Sequence, residues 1–326
     1  MQVTELYLFK PYYLLMPRLN KSPWKKPLKN IYLFFLGGVL LLPGFLSFYE
    51  KSTVIRSHSI AQVVPASNPI VDSAQLTERK SLFELNLPGQ LPLPGEDDWV
   101  AQRLLKENGA LFVAQGNVVH PPSIIFANAS DCATWQAQIK TRREFFNGIP
   151  IELQTEAMEA LLRARKEAAD KKLRITPRGR WAGRRSYRDT EKIWSRRVHS
   201  GLAFWQRRGK LSARESTRIR MLAPAGQVKE ILQLEAQGLF FSMDFSKSVL
   251  YSGTAPGASQ HISMLALDIN ESDQAAVRAI LARHGWFQTV ISDLPHFTYL
   301  GTTQDRLPTL GLKKTVKNRR VYWTPD

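Results

Sequence analysis

Gly257-Ala-Ser-Gln-His261-Ile-Ser-Met-Leu-Ala-Leu-Asp268, followed later by Asp293-Leu-Pro-His296-Phe-Thr-Tyr299, decides how this chain is read. Two imidazoles and a carboxylate with a fourth position left for water are the chemistry of a catalytic zinc site. The spacing sets a condition. Ligands of one metal lie within about 4 Å of each other, yet an extended run from His261 to Asp268 spans roughly 23 Å. The backbone must therefore turn, and Ser263-Met264 is the place, before Leu265–Ile269 runs on as a buried strand. Asp293, three residues before His296, is placed to take a proton from metal-bound water.

The same residues resemble the metal site of the D-alanyl-D-alanine carboxypeptidase and dipeptidase family of zinc peptidases, the VanY type. Its pattern reads Ser-x-His-x-x-Gly-x-Ala-x-Asp, then Glu-x-x-His. Ser259, His261, Ala266, Asp268 and His296 stand in register with it. Met264 occupies the glycine position and Asp293 the glutamate position. The resemblance implies Zn2+ held by His261, Asp268 and His296, Asp293 as the base, and a peptide substrate ending in D-alanine, hence peptidoglycan stem peptides. It implies a small α+β fold, an antiparallel sheet flanked by helices and carrying the zinc site.

Upstream, Gly183-Arg-Arg185-Ser-Tyr187 matches the segment with which that family builds its substrate wall. The resemblance assigns Arg185 to the terminal carboxylate of the peptide, with Ser186 and Tyr187 beside it, and Ser259 to substrate or to the loop itself. Thr190 stands near a family glutamine. A guanidinium pairs with a carboxylate through two parallel hydrogen bonds, which suits recognition of a free C-terminus. Arginine is abundant around it, however: residues 138–220 hold 23 Lys and Arg against 9 Asp and Glu.

The chain has 326 residues, 44% of them hydrophobic, enough for a real core, and a formal charge of +17. That charge attracts polyanions. Arg178-Gly-Arg-Trp-Ala-Gly183-Arg-Arg185-Ser-Tyr187-Arg188 mixes arginine, glycine and aromatics as RNA-binding segments do, but it is short, unrepeated and leads into a patterned helix. Anionic wall polymer or lipid head groups are the better partners for the charge, and nucleic acid is set aside. One cysteine, Cys132, excludes an internal disulfide and a cysteine-based zinc cluster. It reads as a small buried hydrophobe.

Residues 1–30 carry six Lys and Arg against Glu5, and Ile31–Tyr49 then runs without a charge. Nineteen residues at 1.5 Å each give about 28 Å, near the hydrocarbon thickness of a bilayer. The expectation is a single-pass anchor in a bacterial cytoplasmic membrane, basic end inside and the catalytic part on the periplasmic side. A cleaved signal peptide is the other reading. A Pro-rich tether (50–98), an accessory segment (99–149), a zinc peptidase-like domain (150–312) and a basic tail (313–326) complete the organisation.

Within these segments Trp99–Leu105 reads as helix, Ala110–Val119 and Ser123–Ala127 as strands, Gln154–Lys172 as a helix and Leu173–Thr176 as a strand. A helix follows from Asp189 through Trp205, and another over Gln227–Gln237. Ser272 is placed to cap a helix over Asp273–His284 that Gly285 ends. Trp286–Ile291 reads as a strand that Phe297–Leu300 continues. Two functions follow: a membrane-anchored zinc D,D-peptidase, carboxypeptidase or endopeptidase, and a weak or inactive relative that binds wall peptides or envelope partners.

Overall fold

The computed structural model describes residues 80–291 and 293–326. The basic segment 1–30, the expected membrane span 31–49 and most of the tether lie outside the described residues. Among the described residues no helix is long and apolar enough to cross a membrane.

The architecture is α+β, with small antiparallel sheets and eight helices in the described part. α1 (Leu82–Leu85) starts from a capping box in which Ser81 and Glu84 satisfy each other's backbone N–H groups. α2 (Trp99–Asn108) is capped by Asp98 and passes into a 3-10 turn over Gly109–Val113. α3 (Ala129–Ala137) takes its cap from Asn128. β1 (Thr141–Phe146) and β2 (Ile149–Gln154) form a hairpin. Its two-residue turn, Asn147-Gly148, has φ of 51° and 80°, the left-handed pair that matches strand twist.

α4 (Thr155–Asp170) buries Ala157, Met158, Ala160, Leu161, Ala164 and Ala168, one apolar stripe at helical spacing. α5 (Tyr187–Arg207), α6 (Ala213–Arg220) and α7 (Pro224–Ala236) follow. β3 (Ala266–Asp268), α8 (Ala275–Arg283), β4 (Trp286–Phe287) and β5 (His296–Tyr299) come next. The sheet order is β3-β5-β4, all antiparallel. β6 (Leu312–Lys317) and β7 (Arg320–Pro325) close the chain as a hairpin.

Two large apolar clusters flank the site. One joins Phe83 and Ala110–Ala114 to α4, α8 and the β3-β5-β4 sheet through Leu265, Leu267, Phe297 and Tyr299. The other packs α5, α6 and α7 around Trp194, Val198, Leu202, Ile219, Ile231 and Phe241. A smaller one places Tyr187, Cys132 and Met264 against Phe126 and Trp135.

Several expected elements take another form. Ala110–Val119 is a buried 3-10 turn and a loop, because an apolar run without a strand partner signals burial and not β-structure. Ser123–Ala127 and Leu173–Thr176 are not strands, and the latter region offers only the bridge Pro177–Ile269. α8 starts at Ala275, so Ser272 is not its cap; Ser272 instead gives its carbonyl to Arg278 and Arg320. Gly285, at φ 78°, does end it. The strand at Trp286 stops at Phe287, and Phe297–Leu300 turns back beside it instead of continuing it. α6 was not anticipated; its Ser212–Glu215 capping box is the signal that marks it. The basic C-terminal stretch is a hairpin whose second strand, β7, buries Tyr322 and Trp323.

Candidate metal centre

Sheet register and one tight turn bring the ligands together. Asp268 and His296 are direct cross-strand partners in the β3–β5 pair, so their side chains leave the same face. His261 sits in a 3-10 turn, Gln260–Ser263, that ends in a left-handed Met264 at φ 60° and ψ 22°. This is the turn the ligand spacing demanded. Gln154 holds it, donating its backbone N–H to Met264 O and its side-chain amide to Ser263 O. The 178–185 loop clamps it from the other side: Asp268 N–H donates to Ala182 O, Arg178 N–H to Asp268 O, and Arg185 N–H to His261 O.

The ligand atoms of His261, Asp268 and His296 all lie within 4.8 Å of one another. His261 Nε2 is 3.1 Å from His296 Nδ1. Asp268 Oδ1 is 3.3 Å from the first and 3.2 Å from the second. Bonds of about 2.0–2.1 Å to a tetrahedral zinc give edges of about 3.3–3.4 Å, so the triangle has the size of one coordination face.

The outer ring nitrogens fix the tautomers. His261 Nδ1–H donates to Gly183 O at 2.9 Å, a carbonyl that can only accept. His296 Nε2–H donates to Gln260 Oε1 at 2.9 Å. Gln260 is itself oriented, since its amide nitrogen donates to Asn108 O at 2.8 Å, and Thr298 donates to the same Oε1. As neutral rings in these tautomers, the two imidazoles turn lone pairs toward the carboxylate oxygen and toward each other. Three acceptors at hydrogen-bond distance repel unless a cation lies between them, and outer-shell carbonyls of this kind are how proteins orient metal-binding histidines.

The electrostatics agree. Burial, then the charge of Arg185, pushes the His261 imidazole down to about 4, so it is neutral and free to ligate. Burial works against ionisation of Asp268, and the Arg185 guanidinium bonded to Oδ2 favours it. Arg185 donates from a terminal nitrogen to Asp268 Oδ2 at 2.6 Å, leaving Oδ1 for the triangle, and from Nε to Trp181 O at 3.0 Å. The Asp293 carboxyl is pushed up to about 6, by burial and next by the charge of Asp268.

The triangle opens into a cleft. An inner chamber of about 300 Å³ is lined by His261, Asp268, His296, Asp293 and Arg185 together with Arg197 of α5. An outer one of about 490 Å³ shares Asp268, Asp293, Arg185 and Arg197, and adds Arg178 and Lys247. Of the residues anticipated from sequence, the cleft gathers Arg185, His261, Asp268, Asp293 and His296. The other three lie outside its lining. Ser186 caps α5 and exchanges hydrogen bonds with Asp189. Tyr187 is buried in the Phe126–Met264 cluster with its hydroxyl directed at Ala127 O. Ser259 is buried on the far side, beside Phe126 and Ile262. Thr190, where a family glutamine was sought, is buried and bonded to Tyr187 O and Gly257 N–H.

Sequence reading missed Gln260, Asn108, Arg197 and Ser252. Gln260 was visible as the neighbour of a ligand; the others come from segments with no motif to mark them.

No family model matches the chain, and no curated protein matches it. Among solved structures it is similar to the vancomycin-resistance D,D-pentapeptidase VanY of a VanB-type cassette, crystallised in complex with Zn(II), over 51% of this chain and 82% of that one, at 17% identity and a TM-score of 0.30. A likeness of that size carries no argument about fold or activity.

Proposed function

We propose that this chain is a zinc-dependent D,D-peptidase that hydrolyses peptides ending in D-alanine, of the kind found in peptidoglycan stems. The observation that carries the reading is the triangle of His261 Nε2, His296 Nδ1 and Asp268 Oδ1, 3.1–3.3 Å on each side, in the lining of a cleft. The substrate class rests on the resemblance of residues 257–299 to the VanY-type zinc peptidases.

Bound zinc would supply Lewis-acid polarisation of the scissile carbonyl and an acidified water. His261, Asp268 and His296 would hold it. Asp293, in the cleft wall, takes the proton from the attacking water at its carboxylate and returns it to the leaving amine. Its pKa, raised to about 6, suits a base that must hold and release a proton near neutrality. Aspartate is one methylene shorter than glutamate, so Asp293 would act from a closer backbone or through a second water. Residues 31–49 serve as the membrane anchor in this proposal, with the cleft on the periplasmic side, and the surplus of basic side chains faces anionic wall polymer or lipid.

The test is zinc content together with release of D-alanine from a synthetic stem pentapeptide. About one zinc per chain with D-alanine released supports the proposal. Zinc without hydrolysis turns it into the alternative, a wall-peptide-binding relative. A folded chain that takes up no zinc overturns it.

A further inference from the structure

Three residues of the cleft wall each carry a buried polar atom without a hydrogen-bond partner: the side-chain nitrogen of Asn108, Nε of Arg197 and Oγ of Ser252. All three residues line the inner chamber beside the metal triangle. All three can donate. Five further such atoms are spread over the rest of the described residues, and each unsatisfied buried donor costs about 1–3 kcal/mol. Finding three on one cavity wall is the pattern of a site built for an acceptor-rich ligand.

Arg197 is the charged member. On α5, Trp194, Val198 and Leu202 point into the core, while Ile193 and Arg197, four residues apart, line both chambers. The Arg197 stem lies against Gly253, where an added Cβ would sit 3.5 Å from its Cγ. Arg197, half-buried, is thus held by its stem; no carboxylate among the described residues forms an ion pair with it, and the charge of Asp293 acts on it across the cleft. Arg185 is in the opposite condition. Its Nε and one terminal nitrogen are taken by Trp181 O and Asp268 Oδ2, and the latter contact fixes a metal ligand. A substrate carboxylate is left only the terminal N–H groups of Arg185 that these two bonds do not use.

We infer that Arg197, with Ser252 and Asn108, is the substrate-binding wall of the cleft: Arg197 and Ser252 receive the free C-terminal carboxylate of the peptide, and Asn108 a backbone carbonyl. Arg185 is then a positioning residue for Asp268. This rests on the peptidase reading for the identity of the peptide, but the binding of a carboxylate does not depend on hydrolysis. It makes the enzyme a carboxypeptidase in preference, since an internal peptide bond offers no anion to Arg197.

The experiment uses the purified full-length chain loaded with zinc, and acetyl-L-lysyl-D-alanyl-D-alanine against its C-terminal amide, with binding read by calorimetry and zinc by mass spectrometry. The wild type is expected to bind the free acid more tightly than the amide by on the order of 10- to 100-fold, as a charge-assisted pair predicts. Arg197→Gln should erase the preference at unchanged zinc content, Arg197→Lys should keep part of it, and Ser252→Ala should reduce it. Arg185→Gln should instead lower zinc retention. A wild type that binds acid and amide equally overturns the inference, and so does an Arg197→Gln variant that keeps the preference. A wild type that shows the preference but releases no D-alanine leaves the wall standing and removes the peptidase reading.

Discussion

Asp268 and His296 are opposite one another across the β3–β5 ladder, so two of the three ligand atoms are set by sheet register. A slip of one residue would turn either side chain to the other face of the sheet and abolish the site. The third ligand comes from a turn whose exit residue, Met264, is left-handed and fully buried. Backbone geometry thus sets where all three ligands point.

Removing a ligand should remove the metal. His261→Ala, His296→Ala and Asp268→Ala are each expected to reduce zinc from about one per chain to a small fraction of that, since two ligands rarely hold a zinc. Mass spectrometry on dialysed protein reads this directly, and full retention in any of the three would exclude that residue as a ligand.

The outer shell should matter too. Gln260→Leu takes away the acceptor that fixes the His296 tautomer, and zinc affinity should fall by about 10- to 100-fold. Competition with a chromogenic chelator measures it. Unchanged affinity would mean that the His296 ring is oriented by packing alone.

Asp293→Ala should depress hydrolysis of a D-alanine-terminated peptide by about 10²- to 10⁴-fold while zinc content and peptide binding stay as in the wild type. Asp293→Glu, which restores the carboxylate of the VanY-type pattern, should retain measurable turnover. Because the base works ionised, the rate should climb as pH rises through the Asp293 pKa. That lies at about 6 without metal, and a bound cation moves the inflection lower. A rate that falls over pH 5–7 would assign the proton transfer to another group.

The same carboxylate bears on stability. Its folded pKa, about 6, is above the ordinary 3.8, so the native state binds its proton more tightly than the unfolded chain does. Metal-free protein should then lose stability as pH rises from about 4 to 6, and Asp293→Asn should recover it at pH 7. The gain is on the order of 1 kcal/mol once solvent screening in an open cleft is allowed for. Thermal melts of the chelated protein at pH 4 and pH 7 test this, the two proteins differing only at the higher pH.

The triangle was legible in the sequence because its residue types and spacing are rare together, and the turn at Ser263-Met264 because extended backbone cannot close the distance. The short strands of the site sheet lie within or overlap the expected runs Leu265–Ile269, Trp286–Ile291 and Phe297–Leu300, but the six-residue strands of the two hairpins, β1, β2, β6 and β7, were not legible, because their burial does not alternate along the strand. Ser186 and Tyr187 fit a motif, yet a serine three residues before an acid is also a helix start, and here it caps α5. Arg197 was hidden for a different reason. Among 45 Lys and Arg, a side chain distinguished only by what fails to bond to it has no signature in one dimension.

Gln260 donates to the carbonyl of Asn108, the last residue of α2, while accepting from His296. The consequence is one of heredity as much as of mechanics. A fragment starting near residue 150 keeps every ligand but loses the strut behind one of them, so trimming or recombination that separates α2 from the ligand-bearing strands would strip the centre of its aim without touching it. The smallest inheritable unit of this site begins ahead of Trp99.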